Sequence, residues 1–260
     1  MNGSRRSLLL AVLIGWSGAA YAQGTEQPAA AGEDEDPTKT VVFNLRYQHS
    51  ELLNGGAADL LLLRRDVAIV GGNRPPGHKV ALLRFDLPVG TVEAGGQRQS
   101  GLGDLYAQAI HVHPFSRRFS LGAGTGAFLP TASHELLGAG KWQIAPLAVP
   151  IWFLTRPRGM FFCKVQDQFS VAGDDDRPDI HHLLVTPTLL WRLRPLIWLL
   201  FDSEAQIDWR RDRTSYKSGV LFGTSFGHGR GGWIKLEVPW GENRLGDWTV
   251  KASFALRDRR

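Results

Sequence analysis

The stretch Val41-Val42-Phe43-Asn44-Leu45-Arg46-Tyr47-Gln48 decides how the rest of the chain is read. Val41, Phe43, Leu45 and Tyr47 alternate with Val42, Asn44, Arg46 and Gln48. An extended strand sends successive side chains to opposite faces, so this spacing predicts one apolar surface and one largely polar surface. The same period of two returns further on. Cys163, Val165 and Phe169 oppose Lys164, Gln166, Gln168 and Ser170. Ile197, Leu199, Phe201, Ala205 and Ile207 oppose Asp202, Glu204, Gln206 and Asp208. Ile234, Leu236, Val238 and Trp240 oppose Lys235 and Glu237, and Trp248, Val250, Ala252, Phe254 and Leu256 oppose Thr249, Lys251, Ser253 and Arg257.

These segments run to roughly ten residues or more, the length of a tilted membrane-crossing strand and longer than most strands of soluble proteins. Twelve such segments are expected, starting near residues 40, 59, 78, 103, 117, 141, 159, 179, 196, 216, 230 and 246. An even count suits a bacterial barrel with both chain ends on the periplasmic side. A spanning helix is not a competing reading. The best stretch, residues 183–201, is interrupted by Pro187, Arg192, Arg194 and Pro195, and only helices and closed barrels satisfy a backbone inside lipid. The expected fold is therefore all-β, a single antiparallel transmembrane β-barrel of about 12 strands over residues 40–260.

In such a barrel the polar faces turn inward. Arg46, Lys164, Gln166, Gln168, Asp202, Glu204, Gln206, Asp208, Lys235, Glu237 and Lys251 are the expected lumen-lining residues. Charges of both signs among them either pair across the interior or line a narrow wet path. Two segments alternate poorly. Leu60 to Leu63 is apolar on both faces. Gly122, Gly124 and Gly126 leave one face of the segment after Arg118 almost bare, which predicts a sharply bent strand or one lying beside packed lumen side chains. Trp142, Trp152, Trp191, Trp198, Trp209, Trp233, Trp240 and Trp248 fall near expected strand ends, where indole rings favour the membrane interface.

The N-terminal segment reads as an export signal. Arg5 and Arg6 precede an apolar run, and Ala20-Tyr21-Ala22 supplies a small-x-small cleavage pattern, so residues 1–22 are the expected signal peptide. Residues 23–39 are rich in Ala, Gly, Glu, Asp and Pro and read as a disordered periplasmic lead-in. Removing Arg5 and Arg6 from 30 basic residues leaves 28 against 25 acidic ones, a mild and dispersed balance that argues against nucleic acid. Cys163 is the only cysteine, so no internal disulfide can form.

Catalytic patterns are weak. The Gly122-x-Gly124-x-Gly126 run lacks the strand–helix context of a dinucleotide fingerprint, and no nucleophile elbow or zinc helix motif occurs. His111 and His113 share a face without an acidic neighbour in sequence. Asp174-Asp175-Asp176 lacks the glycine and terminal glutamate of a dedicated calcium loop. Ser133-His134-Glu135 places three catalytic residue types side by side, a poor geometry for a relay. No catalytic residue, metal site or cofactor is expected.

Several ordered patterns resemble the MetA-pathway phenol-degradation barrels, an outer-membrane, transporter-like family. They are Gly101-Leu102-Gly103-Asp104-Leu105, then Gly122-Ala123-Gly124 leading to Leu129-Pro130-Thr131-Ala132, then Leu137-Gly138-Ala139-Gly140-Lys141-Trp142-Gln143-Ile144-Ala145-Pro146. Residues 168–174 and Thr186-Pro187 continue the pattern. Ala145 stands where the family has glycine, and the chain runs past Phe254 to Asp258-Arg259-Arg260 where such barrels tend to end on an aromatic residue. The resemblance implies structural roles for Gly101, Gly103, Asp104, Pro130, Thr131, Gly140, Lys141, Trp142, Gln143 and Pro146. It also implies passage of small, aromatic or hydrophobic compounds. The alternatives are an outer-membrane lipid-modifying enzyme and a soluble periplasmic ligand-binding barrel with its apolar faces turned inward. The expected partners are outer-membrane lipid, the barrel-assembly machinery and a small solute, with no nucleic acid.

Overall fold

A computed structural model describes residues 42–69, 81–155, 158–227 and 229–257. The expected signal peptide (1–22) and lead-in (23–39) lie outside the described residues. The strands are β1 (Val42–Leu52), β2 (Ala57–Ile69), β3 (Ala81–Ala94), β4 (Gln97–Leu102), β5 (Leu105–Pro114), β6 (Phe119–Leu129), β7 (Lys141–Leu154), β8 (Gly159–Gly173), β9 (His181–Arg194), β10 (Ile197–Asp208), β11 (Arg213–Gly227), β12 (Arg230–Trp240) and β13 (Gly246–Arg257). Each strand pairs antiparallel with its neighbours, and β1 pairs with both β2 and β13, from Val42 opposite Arg257 to Ser50 opposite Thr249, so the sheet closes on itself.

Thirteen strands fill twelve places. Residues 82–86 of β3 pair with β5 and residues 89–94 pair with β4, so β4 and β5 form one crossing broken at Gly103-Asp104. All twelve expected starts lie within three residues of a strand start, and the one near residue 103 falls on this break. At the break Gly103 N–H donates to Pro88 O (3.0 Å), which extends the β3–β4 ladder by one residue. Between β3 and β4 the chain turns through Gly95 and Gly96, with φ of 59° and 76°. Those two left-handed positions are what a two-residue hairpin of matching twist requires.

The faces of the strands are those of a membrane barrel. Phe43, Leu45 and Tyr47 are 38–47% exposed, whereas Asn44, Arg46 and Gln48 are at most 9% exposed. Phe161, Val165, Phe201, Val220, Phe222, Ile234, Leu236, Val238, Phe254 and Leu256 extend the exposed apolar surface around the barrel, a band suited to lipid. The exposed apolar band sets aside the alternative of a soluble periplasmic barrel. Prolines sit where the ladder tolerates them: the β7–β8 register skips Pro146 and Pro150, and the β9–β10 register skips Pro187, because proline has no N–H to donate.

Two sequence expectations resolve here. Gly122, Gly124 and Gly126 lie opposite the inward residues Val112, Ile110 and Gln108. A Cβ on Gly126 would run into the ring of Tyr106, and one on Gly122 would lie 3.1 Å from Ile110 Cδ1. Packed lumen side chains, not a bend, explain this strand. The tryptophans divide. Trp142, Trp152, Trp191, Trp209, Trp240 and Trp248 are exposed, but Trp198 is buried in the lumen and Trp233 packs against the same inner cluster. Both share parity with the inward Leu200 and Lys235, and strand parity overrides the interfacial preference of indole.

Candidate functional site

The interior is layered along the barrel axis. The end where β1 begins and β13 finishes is called the terminal end, and the opposite end the loop end. Towards the terminal end Ile110, Leu147, Val149, Met160, Phe162, Leu190, Trp198, Leu200 and Leu221 form one buried apolar cluster, with Leu82, Ile151 and Trp233 packed against it. These residues come from β3, β5 and β7–β12, so the apolar layer reaches most of the way around the lumen.

Above it lies a belt of charge. On the wall made by β2 and β3, Arg64 Nε and Nη2 donate to Asp86 Oδ1 and Oδ2, both at 2.7 Å. Arg84 Nε and Nη2 donate to Asp66 Oδ1 and Oδ2 at 2.8 and 3.1 Å. The antiparallel register sets Arg64 opposite Asp86 and Asp66 opposite Arg84, so two forked pairs stack crosswise. On the wall made by β10–β13, Lys235 Nζ lies 2.6 Å from Asp202 and 2.6 Å from Glu237, Lys251 lies 3.0 Å from Glu237, and Lys217 lies 3.1 Å from Glu204. Thr186 Oγ1 adds a hydrogen bond to Glu204 at 3.2 Å. From β1, the Arg46 guanidinium sits 4.8 Å from the ring centre of Trp233 on β12, a cation–π contact.

Of the expected lumen residues, Arg46, Lys164, Gln166, Gln168, Asp202, Glu204, Asp208, Lys235, Glu237 and Lys251 are buried, and Gln206 is half-buried. The structure gathers Asp202, Glu204, Lys235, Glu237 and Lys251 into one network. Gln168 is set apart nearer the loop end, donating to Gln143, while Gln206 meets His182 Nδ1 at 3.2 Å and His182 Nε2 lies 3.5 Å from Asp208. Arg64, Asp66, Arg84 and Asp86 were not singled out from sequence. Their signal is a pair of Arg-x-Asp triplets, Arg64-x-Asp66 and Arg84-x-Asp86, on neighbouring strands; each triplet puts both charges on one face.

The residues of the family resemblance organise the loop end. The loop 130–140 folds inward: Leu136, Leu137 and Ala139 are buried, and Leu137 packs with the inward Leu52, Ala58, Leu60 and Val92. Asp104 clamps it, accepting from Ala132 N–H (3.1 Å) and Ala139 N–H (2.7 Å). Thr131 Oγ1 accepts from Leu105 N–H and donates to Gly103 O. Gly101 and Gly103 leave room for Ser133 and Leu137, where a Cβ on Gly101 would collide with Ser133 Oγ. From the β8–β9 loop, Arg177 donates to Glu135 O (2.8 Å) and Gly138 O (2.6 Å). Pro130 ends β6, and Gly140 turns the chain into β7 with a φ of 68°. Lys141 pairs with Asp179 at 3.2 Å and holds the Asp179 carboxyl below its ordinary range. Gln143 is buried, while Trp142 and Pro146 face outward.

The rejected catalytic patterns are placed too. Ser133 Oγ accepts from Leu102 N–H, His134 Nδ1 accepts from Leu136 N–H, and Glu135 lies 3.6 Å from Arg177; the three side chains serve the loop. His111 and His113 share a face with ring centres 6.4 Å apart. Asp174 accepts from Asp176 N–H within its turn. Among the described residues no group of three or more His, Cys, Asp or Glu is gathered to hold a metal.

No family model and no curated protein matches the sequence. Solved structures do. An outer membrane channel from Pseudomonas putida F1 is similar over 89% of this chain and 100% of its own, at 13% identity and a TM-score of 0.73. The KdgM porin, solved in complex with disordered oligogalacturonate, is similar over 84% of this chain and 100% of its own, at 10% identity and a TM-score of 0.55. The NanC porin is similar over 85% and 100%, at 6% identity and a TM-score of 0.55. These likenesses establish the fold. With its apolar exterior and charged interior, the chain is a β-barrel of the bacterial outer membrane.

Proposed function

We propose that the barrel is a narrow outer-membrane channel for small solutes that carry an aromatic or hydrophobic part. The observation that carries this reading is the two-zone lumen. An apolar layer rich in Phe162, Trp198 and Trp233 lies in series with a belt of lysines, arginines and carboxylates. An amphipathic solute meets apolar surface for its ring and polar partners for its substituent along one path. A strongly hydrated sugar or ion gains nothing from the apolar layer and loses hydration there. The family resemblance supports the same direction, and the similar outer membrane channel of Pseudomonas putida F1 supports a channel.

Most inward side chains are buried, so passage requires movement of long side chains on a fixed wall. Lysine stems suit this, because their charge rides on four rotatable carbons. Small, brief conductance steps follow from such a path.

Single-channel recording of the refolded protein in planar bilayers tests the proposal. Discrete small steps, blocked by phenol or benzoate and insensitive to glucose, are the expected result. A folded barrel that passes no current overturns the channel. Steps that glucose and benzoate block equally overturn the aromatic preference.

A further inference from the structure

Away from the lumen, the described strand connections at one end of the barrel carry charge of a single sign. At the terminal end the turns and strand tips hold Arg117 and Arg118 (β5–β6), Arg158 (β7–β8), Arg192 and Arg194 (β9–β10) and Arg230 (β11–β12). All are exposed except the half-buried Arg192. Among the described residues, the segments joining strands at this end contain no Asp or Glu. Those at the loop end hold Glu135, Asp174, Asp175, Asp176, Asp179, Asp212 and Glu242 among their arginines. The arginine turns are stitched to their neighbours: Phe153 N–H donates to Arg118 O (2.9 Å), Arg192 N–H to Arg158 O (2.8 Å) and Ser225 N–H to Leu196 O (2.9 Å). They form an arc on a rigid rim.

Aromatic rings follow the same arc. Phe115 lies 5.8 Å from Phe119, Phe119 lies 5.3 Å from Trp152, and Trp152 lies 5.6 Å from Phe161, centre to centre. Phe115 and Phe226 are each 61% exposed, and Trp191 continues the exposed row. A row of arginines beside a row of rings at a barrel rim spans the step from phosphate to acyl chain.

We propose that this arc is a binding site for anionic phospholipid, with phosphodiesters on the arginines and acyl chains along the aromatic row. Guanidinium groups suit the task because their planar fork meets phosphate oxygens in pairs. A clustered basic surface at the membrane interface attracts anionic headgroups. Arginines on adjacent turns favour a headgroup with two phosphates, which engages two turns at once and gains the advantage of linked contacts. Cardiolipin is accordingly preferred over phosphatidylglycerol, and both over the zwitterionic phosphatidylethanolamine. The site is independent of whether the lumen conducts.

The test is native mass spectrometry of the refolded barrel in detergent with the three lipids at matched acyl chains. Retention in the order cardiolipin, phosphatidylglycerol, phosphatidylethanolamine is expected. The fourfold variant R117Q/R118Q/R158Q/R194Q is expected to weaken cardiolipin binding by at least about tenfold, and the loop-end variant R210Q/R244Q to leave it unchanged. Equal retention of all three lipids overturns the site, as does a fourfold variant that keeps cardiolipin. Equal loss in the loop-end variant makes the effect one of net charge. Displacement by inorganic phosphate at equal concentration marks a bare anion site and overturns the lipid assignment. Should the fourfold variant not fold, as judged by heat-modifiable gel migration, R118Q/R194Q on separate turns takes its place. The headgroup order of the unmodified barrel decides the matter independently.

Discussion

The two charged walls of the lumen are built differently. On β2–β3, each arginine is locked by two hydrogen bonds to one aspartate, and Arg64 and Arg84 are among the most completely buried side chains of the barrel. On β10–β13, Lys235 reaches two carboxylates and Glu237 serves two lysines, so these two central groups each have a second partner to fall back on. Forked arginine pairs hold a single geometry, whereas ammonium groups shared among carboxylates can exchange partners without leaving a charge alone. The first wall has the character of a scaffold and the second that of a working surface.

The largest effect expected from breaking this comparison comes from Asp86→Ala. It removes both carboxylate hydrogen bonds of the buried Arg64 and is expected to cost about 3–5 kcal/mol in urea unfolding from lipid vesicles. The joint Arg64→Leu/Asp86→Leu change, which removes both charges, should recover most of that loss. A joint variant as weak as the single one would show that the pair itself, and not the buried charge left behind, sets the cost.

Next comes Lys251→Met on the opposite wall. Glu237 retains Lys235, so the expected loss is smaller, about 1.5–3 kcal/mol. The change should alter single-channel conductance more than the doubly substituted scaffold wall does. If the scaffold variant moves conductance more, the assignment of the two walls is reversed.

Gly126→Ala probes the wall that makes room for the others. Its new methyl meets the Tyr106 ring, and overpacking of this kind costs about 1–3 kcal/mol; adding Tyr106→Ala should relieve the collision. Arg177→Ala is expected to be the mildest, below about 1 kcal/mol in global stability. It should nonetheless speed amide hydrogen exchange at Leu137 and Ala139, while exchange in β10 stays unchanged. Uniform acceleration across both regions would mean that Arg177 supports the whole barrel and not the mouth loop alone.

Much of this architecture is legible in the sequence. The period of two separated Phe43, Leu45 and Tyr47 from Asn44, Arg46 and Gln48, and the burial of those residues follows the same division. Position in a strand, which made Trp198 and Trp233 look interfacial, proved a poorer guide than parity, which sent both inward. The Arg-x-Asp triplets of β2 and β3 carried a signal, but one that becomes meaningful only when the antiparallel register is known.

Sequence by itself determined the strands, their two faces and hence a barrel with an apolar outside, because side-chain alternation is a local property of an extended backbone. Tertiary structure alone decided which charges meet. Closing β1 onto β13 fixes a register across more than 200 residues. That register places Arg46 over Trp233 and Ser253 beside Asn44. It was likewise tertiary structure that folded the loop 130–140 into the mouth, where Asp104 and Arg177 hold it from two distant segments. Contacts of this kind depend on shear and closure of the whole sheet, quantities that no single strand encodes.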